Sequence, residues 1–209
     1  MSSGRARAFF ARGSERTHSM IFLTNFGDLA VLLPLSATML IWLLGLRPRS
    51  SAIWWVVAFG LCVGLTALLK IYLYACHPFA GLQSPSGHTS LSTFVYGAIA
   101  VVVAAEVAGW HRVIVLGSGI SIVGGIAISR IVLGAHSPLE VILGAVMGSV
   151  ALVLFAREYL GRKPSKLSLR PLLLALVLLA GLLHGQAVHA EEILHEIGRY
   201  LSIGAVVCP

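Results

Sequence analysis

The side chains of this 209-residue chain that could carry out chemistry fall into four short polar clusters. The sequence around them is apolar. Ionisable residues inside or at the edge of a membrane span are costly to keep there, so they are candidates for function. The clusters supply cations, hydroxyls, histidines and one carboxylate, a set suited to holding a phosphate group and moving protons. They are Lys70 with His77, Pro85–His88, Ser129 with Arg130, and His136 with Glu140.

Several of these residues suit the binding of phosphate oxygens. Lys70 and Arg130 supply fixed positive charge, and a guanidinium can donate two parallel hydrogen bonds to one phosphate. Gly87 allows close approach of the backbone, and Ser86 adds a hydroxyl donor. Helices that begin at Ser86 and near His136 would also direct free N–H groups and positive dipole ends at the anion.

Two histidines remain for the reaction itself. His136 and Glu140 stand at positions i and i+4, so on a helix the carboxylate can hold and polarise the imidazole. This arrangement fits a nucleophilic histidine. His88 can protonate the leaving oxygen, a general-acid role that typically contributes ~10²–10⁴-fold.

The composition defines the class of protein that must position these residues. The chain is 57% hydrophobic and 11% charged, whereas a soluble domain carries about 25% charged residues. We therefore predict an integral membrane protein, in a bacterial inner membrane. The net charge of +7 comes from basic residues that flank apolar runs, so it does not indicate nucleic acid. Three cysteines without a CxxC pair predict no disulfide framework.

Six apolar runs predict an all-α fold, a six-helix transmembrane bundle with an amphipathic C-terminal helix over about 190–201. The sixth run is short and could be half-inserted or interfacial. We divide the chain into a basic N-terminal segment (1–28), a membrane-embedded domain (29–184) and an amphipathic or interfacial tail (185–209). The runs are Leu29–Leu46, Ala52–Leu69, Thr89–Ala105, Val113–Ile128, Val141–Ala156 and Pro171–Leu183.

Small residues at four-residue spacing recur in three of these runs. Such spacing lets helix backbones approach closely, so the three ladders predict a compact bundle. They are Gly60/Gly64, Gly117/Ser121/Gly125 and Gly144/Gly148.

Counting spans predicts that the four clusters meet. Lys70 ends the second run and Ser86 opens the third, and a short loop joins them. Arg130 ends the fourth run and His136 opens the fifth. If the third and fourth runs both cross the membrane, all four clusters lie on one face.

The basic residues predict which face this is. Four N-terminal arginines fall on the side of the clusters and favour a cytoplasmic site. A larger set falls on the opposite side, and the positive-inside bias then places the clusters on the periplasmic or extracellular face. The opposite set is Arg47, Arg49, Arg112, Arg157, Arg162, Lys163, Lys166 and Arg170.

The three motifs, in order, resemble the signature of the type 2 phosphatidic acid phosphatase superfamily, which includes the vanadium haloperoxidases. They read Lys-x6-[basic]-Pro from Lys70, then PSGH, then SR-x5-H-x3-[acid] ending at Glu140. The resemblance implies a six-helix membrane phosphatase that acts on a phosphorylated lipid without metal or other cofactor. It implies a phosphohistidine on His136, with His88 as the acid.

The same resemblance implies that Lys70, Ser86, Gly87 and Arg130 surround the phosphate. Two positions depart from the family pattern. Glu140 stands where the family usually has Asp, which keeps the charge and adds a methylene. His77 stands where it usually has Arg, which removes a permanent charge and a bidentate donor. The substrates open to such an enzyme include undecaprenyl diphosphate and phosphatidic acid.

Other interpretations of the same residues stay open at this point. PSGH could be a helix start capped by Ser86, and Ser137 to Glu140 reads equally as a capping box. A lipid phosphotransferase could use the same intermediate, and a lipid-binding scaffold could retain a decayed site. His184, His189 and His195 lie among glutamates, but their spacing matches no zinc template, so we predict no metal site.

Overall fold

The computed structural model describes residues 17–76, 84–161, 169–188 and 190–203. Over these residues the chain forms eight helices joined by turns, and they include no strand. The helices are α1 (17–25), α2 (Leu29–Leu46), α3 (Arg49–Cys76), α4 (Gly87–Glu106), α5 (Trp110–Val132), α6 (Pro138–Leu160), α7 (Arg170–Leu183) and α8 (Ala190–Ile203). The predicted all-α class is confirmed.

Among the described residues, five segments are long and apolar enough to span a membrane. The first combines α1 and α2 as Thr17–Leu46, and the others are α3 to α6. The prediction of six spanning helices is therefore not met exactly. The sixth run forms α7, which has 14 residues. At 1.5 Å per residue it is about 21 Å long, shorter than a hydrocarbon core of about 30 Å.

Helix α4 is the central helix of the bundle, with 67% of its apolar window buried compared with 17% for α5. Two glycines of α6 allow this central position. A Cβ at Gly144 would lie 2.5 Å from the carbonyl oxygen of Ser86, and a Cβ at Gly148 would meet the carbonyl oxygen of Ser90. The Gly144/Gly148 ladder therefore packs α6 directly against the first turns of α4.

The other two ladders do not pack helices as predicted. A Cβ at Gly60, Gly64 or Gly117 would meet no atom within 4 Å. In α5 the close approach uses a different glycine, Gly119, where a Cβ would lie 2.7 Å from that of Ala100. Four-residue spacing alone does not reveal which face of a membrane helix meets its neighbour.

The two ends of the bundle differ in chemistry. Toward one end, an aromatic cluster of Trp55, Phe94 and Phe155 fills the core, with ring centroids of Trp55 5.0 and 5.2 Å from the other two. Beyond it, Arg47 forms a buried ion pair with Glu106. The candidate residues lie at the other end, where α2, α4 and α6 begin and α5 ends.

Candidate active site

The PSGH motif forms the start of α4. Ser86 is the N-cap, and its hydroxyl oxygen accepts from the backbone N–H and the hydroxyl of Thr89, at 3.4 and 3.0 Å. The predicted cap is therefore present. Ser86 is the acceptor in both bonds, so the cap is compatible with its hydroxyl hydrogen also reaching a phosphate oxygen. The following N–H groups lie at the positive end of the helix dipole.

Lys70 lies beside this helix start. A Cβ placed on Gly87 would be 3.6 Å from Lys70 Cε and 4.0 Å from its Nζ. Lys70 is only 2% exposed. The prediction that it ends its helix is wrong, because α3 continues for more than a turn beyond it to Cys76. The lysine therefore enters the site from the side of a helix rather than from a helix end.

Glu140 connects the nucleophile candidate to the loop before α4. Its Oε2 lies 3.1 Å from Nδ1 of His136, and its Oε1 accepts from the backbone N–H of Ser84 at 2.9 Å. It also completes a capping box with Ser137. The structural and catalytic interpretations of Glu140 are thus compatible, because one carboxylate caps the helix and also contacts His136.

The backbone carries a further link between these motifs. The carbonyl oxygen of Glu140 accepts from the N–H of Ser86 at 3.0 Å, so the first turn of α6 is bonded directly to the N-cap of α4. Tyr74 near the end of α3 donates from its hydroxyl to Ser84 Oγ at 3.0 Å. Bonds from α3 and α6 therefore fix the short segment that leads into PSGH and α4.

A tight turn brings Arg130 next to His136. The carbonyl oxygen of Arg130 accepts from the N–H groups of Ala135 and His136, at 3.0 and 3.2 Å. Gly134 takes a φ of +68° in this turn, a conformation that side chains with a Cβ rarely adopt. The five-residue spacing of the SR-x5-H motif thus has a structural cause. Arg130 also donates from Nη1 to Thr24 Oγ1 at 3.2 Å.

Residues from the turn between α1 and α2 complete the site, and they were not predicted from the sequence. Asp28 caps α2, and its Oδ2 lies 3.6 Å from Nε2 of His88. Gly27 allows this approach, since a Cβ there would lie 2.7 Å from Ile126 Cγ2 and 3.4 Å from the Cβ of His88. A carboxylate directly before an apolar run was a signal that could have identified Asp28.

An apolar cavity of about 290 Å³ adjoins part of the site. Its lining includes the ionisable residues Asp28, Lys70 and His88 and the apolar residues Leu91 and Leu194. Leu194 belongs to α8, so the predicted amphipathic tail packs against the bundle over this cavity. Arg130 and His136 do not line this cavity. Arg130 is bonded to Thr24, and His136 contacts Glu140.

Several predicted or noted residues have other positions. Cys62 is buried in the core, with Sγ 3.2 Å from Ser90 Oγ. Cys76 is disulfide-bonded, although the cysteine count had predicted no framework. His184 bonds the carbonyl oxygen of Phe22 at 3.0 Å, and His195 packs on the ring of Tyr74. In the part of the chain that the structure describes, no three His, Cys, Asp or Glu residues form a metal-binding group.

Some predicted features lie outside the described residues. His77 is among them, so the effect of histidine at the family's arginine position stays a prediction. The same holds for His189 and for the basic residues listed here: Arg5, Arg7, Arg12, Arg16, Arg162, Lys163 and Lys166.

The described site can hold an anion and supply both an activated imidazole and a second histidine. An ionised carboxylate can only accept hydrogen bonds, so Glu140 beside Nδ1 favours the His136 tautomer whose Nδ1–H donates to it. The lone pair of Nε2 is then the one suited to attack. All of these groups lie on or beside the starts of α4 and α6 and the end of α5.

In an all-helical chain with apolar spans, this arrangement is compatible with a membrane phosphatase. Residues 72–164 match the family model of the PAP2 superfamily, which confirms the resemblance predicted from the motifs. The matched segment runs from within α3 to just after α6. No curated protein and no solved structure matches the chain.

Proposed function

We propose that the chain is an integral membrane lipid phosphatase that hydrolyses a lipid phosphate or diphosphate through a phosphohistidine on His136. One observation supports this most directly. The cavity is lined both by ionisable side chains, Lys70 and His88 among them, and by a larger set of apolar side chains. That pairing suits a substrate with an anionic headgroup on a hydrocarbon chain, since apolar walls favour burial of the chain.

The first half of the reaction transfers the phosphoryl group to the enzyme. Nε2 of His136 attacks phosphorus, an N–P bond forms, and the bond from phosphorus to the leaving oxygen breaks. Lys70 and Arg130 stabilise the charge on the remaining oxygens. His88 gives its proton to the leaving oxygen, so the lipid leaves as an alcohol, or as a phosphate monoester when the substrate is a diphosphate.

The second half regenerates the enzyme. Water attacks phosphorus, the N–P bond breaks, and His88 takes the proton that the water loses. Inorganic phosphate then leaves. Every step uses groups of this chain and water, so we propose that activity needs no metal ion.

We propose further that the site faces the periplasm or cell exterior. The disulfide at Cys76, at the site end of α3, supports this because disulfides persist in oxidising compartments. Impermeant maleimide should label the variant Ala135→Cys in intact cells, and His111→Cys at the other end of the bundle only after permeabilisation. The reverse pattern would invert the orientation.

A substrate panel tests the activity. Purified protein in detergent should release phosphate from lipid phosphates or diphosphates, both with and without EDTA, and vanadate should inhibit it. His136→Ala should lose the activity by several orders of magnitude, as expected when a covalent nucleophile is removed. His111→Ala, an exposed histidine at the opposite end, is the matched control and should retain it. Full activity of His136→Ala would refute the mechanism.

A further inference from the structure

We infer that Asp28, which lies outside the segment that matches the superfamily, is a positioning residue that orients His88 for proton transfer. This inference rests on the proposed function. Oδ2 of Asp28 lies 3.6 Å from Nε2 of His88, with side-chain exposures of 12% and 19%. The distance is that of an ion pair rather than of a direct hydrogen bond.

The carboxylate of Asp28 is held in place from two directions. Its Oδ1 accepts from the N–H of Ala30 at 2.9 Å and from the N–H of Val188 at 3.0 Å. The first bond caps α2, and the second attaches the segment after α7. With Oδ1 engaged in both bonds, Oδ2 remains directed at the imidazole of His88.

The charges around His88 give this contact its effect. Two other ionisable groups line the cavity, Asp28 from the start of α2 and Lys70 from α3, while α4, α8 and the segment before it contribute the apolar residues Leu91, Leu194 and Val188. Beside Lys70 in such surroundings a second positive charge is costly. Asp28 offsets that cost and stays ionised while the proton passes from His88 to the leaving oxygen.

A purely structural role for Asp28 predicts a different outcome, and the variants can separate the two. Asp28→Asn keeps an oxygen acceptor for Ala30 and Val188 but removes the charge. Asp28→Ser keeps a good N-cap without the charge. Glu106→Gln removes a buried carboxylate at the opposite end of the bundle and is the matched control.

The dependence on the leaving group is the decisive readout. An alkyl phosphate needs a general acid because an alkoxide leaves poorly, whereas an aryl phosphate with an alkyl tail of the same length needs much less help. Asp28→Asn should lower kcat/KM for the alkyl ester by about 10- to 100-fold and for the aryl ester by less than about 3-fold, as a part of the general-acid contribution. Glu106→Gln should change kcat/KM for the two esters by the same factor.

A second measurement tests whether Asp28 acts through His88. In a His88→Ala background, Asp28→Asn should cause no further loss with the alkyl ester, because residues acting as one unit are not additive. Equal losses on both esters, or full additivity with His88→Ala, would overturn the positioning role and leave the proposed function intact. A wild-type protein that cleaves neither ester would refute both.

Discussion

The carboxylate of Glu140 lies 3.1 Å from Nδ1 of His136, and the same carboxylate accepts from the backbone N–H of Ser84 at 2.9 Å. One side chain therefore orients the proposed nucleophile and fixes the segment that leads into PSGH. The carbonyl oxygen of Glu140 adds a third link, to the N–H of Ser86. Movement of the first turn of α6 would disturb both halves of the site together.

Glu140→Gln should lower kcat by about 10²–10⁴-fold, the range seen when an orienting carboxylate loses its charge. The amide oxygen can still accept from Ser84, but its NH2 group would face the backbone N–H of Ser137, so the free energy of unfolding should fall by about 1–3 kcal/mol. Steady-state kinetics and thermal unfolding of the same preparation check both parts. Wild-type kcat in Glu140→Gln would show that the charge is not needed.

Glycine at position 144 is predicted to be required for packing. Gly144→Ala places a Cβ 2.5 Å from the carbonyl oxygen of Ser86, so it should destabilise the fold by ~1–3 kcal/mol, the usual cost of overpacking. Gly60→Ala is the control, since a Cβ there meets nothing within 4 Å. It should be neutral or raise stability by up to ~1 kcal/mol through helix propensity. Unfolding in detergent measures both, and equal effects would contradict the packing account.

The apolar cavity should select for the hydrocarbon chain of the substrate. Ala67 lines this cavity from α3, and Ala67→Phe should raise KM for a long-chain lipid phosphate roughly tenfold by filling it. A short-chain phosphate should be hydrolysed as by the wild type. Val57→Phe places the same side chain on an exposed part of α3 and serves as control. A KM unchanged for every chain length would place the lipid chain elsewhere.

The buried ion pair of Arg47 and Glu106 should matter for stability but not for catalysis. Glu106→Gln removes the negative charge that balances the buried guanidinium of Arg47, which also donates to the hydroxyl of Tyr159 at 2.7 Å. It should cost ~3 kcal/mol of unfolding free energy. kcat/KM for any one substrate should stay within about twofold, since the pair lies at the opposite end of the bundle. Chemical denaturation and kinetics together test this, and a selective loss of activity would contradict it.

The sequence predicted the helices and the superfamily motifs because both are local patterns. The runs that became α2, α4 and α6 matched within a few residues, and Ser86 caps α4 as one interpretation required. The prediction that Lys70 ends its helix was wrong. The lysine interrupts the apolar run, but the α3 backbone continues beyond it to Cys76.

Long-range contacts could not be predicted in the same way. Asp28 and Thr24 are far from His88 and Arg130 along the chain, and no spacing rule connects them. Two of the three predicted glycine ladders failed for the same reason, because the facing helix decides whether a glycine packs against it. Gly148 packs against Ser90, whereas a Cβ at Gly60 would meet no atom within 4 Å.

Trapping the covalent intermediate tests the central claim most directly. Purified protein should be mixed with a lipid phosphate labelled with ³²P, quenched within milliseconds, and assayed for protein-bound label. The account predicts a phosphoprotein that is labile in acid and stable in base, present in the wild type and in His111→Ala and absent in His136→Ala. Phosphate release by the wild type without any such species, or label retained in His136→Ala, would contradict it.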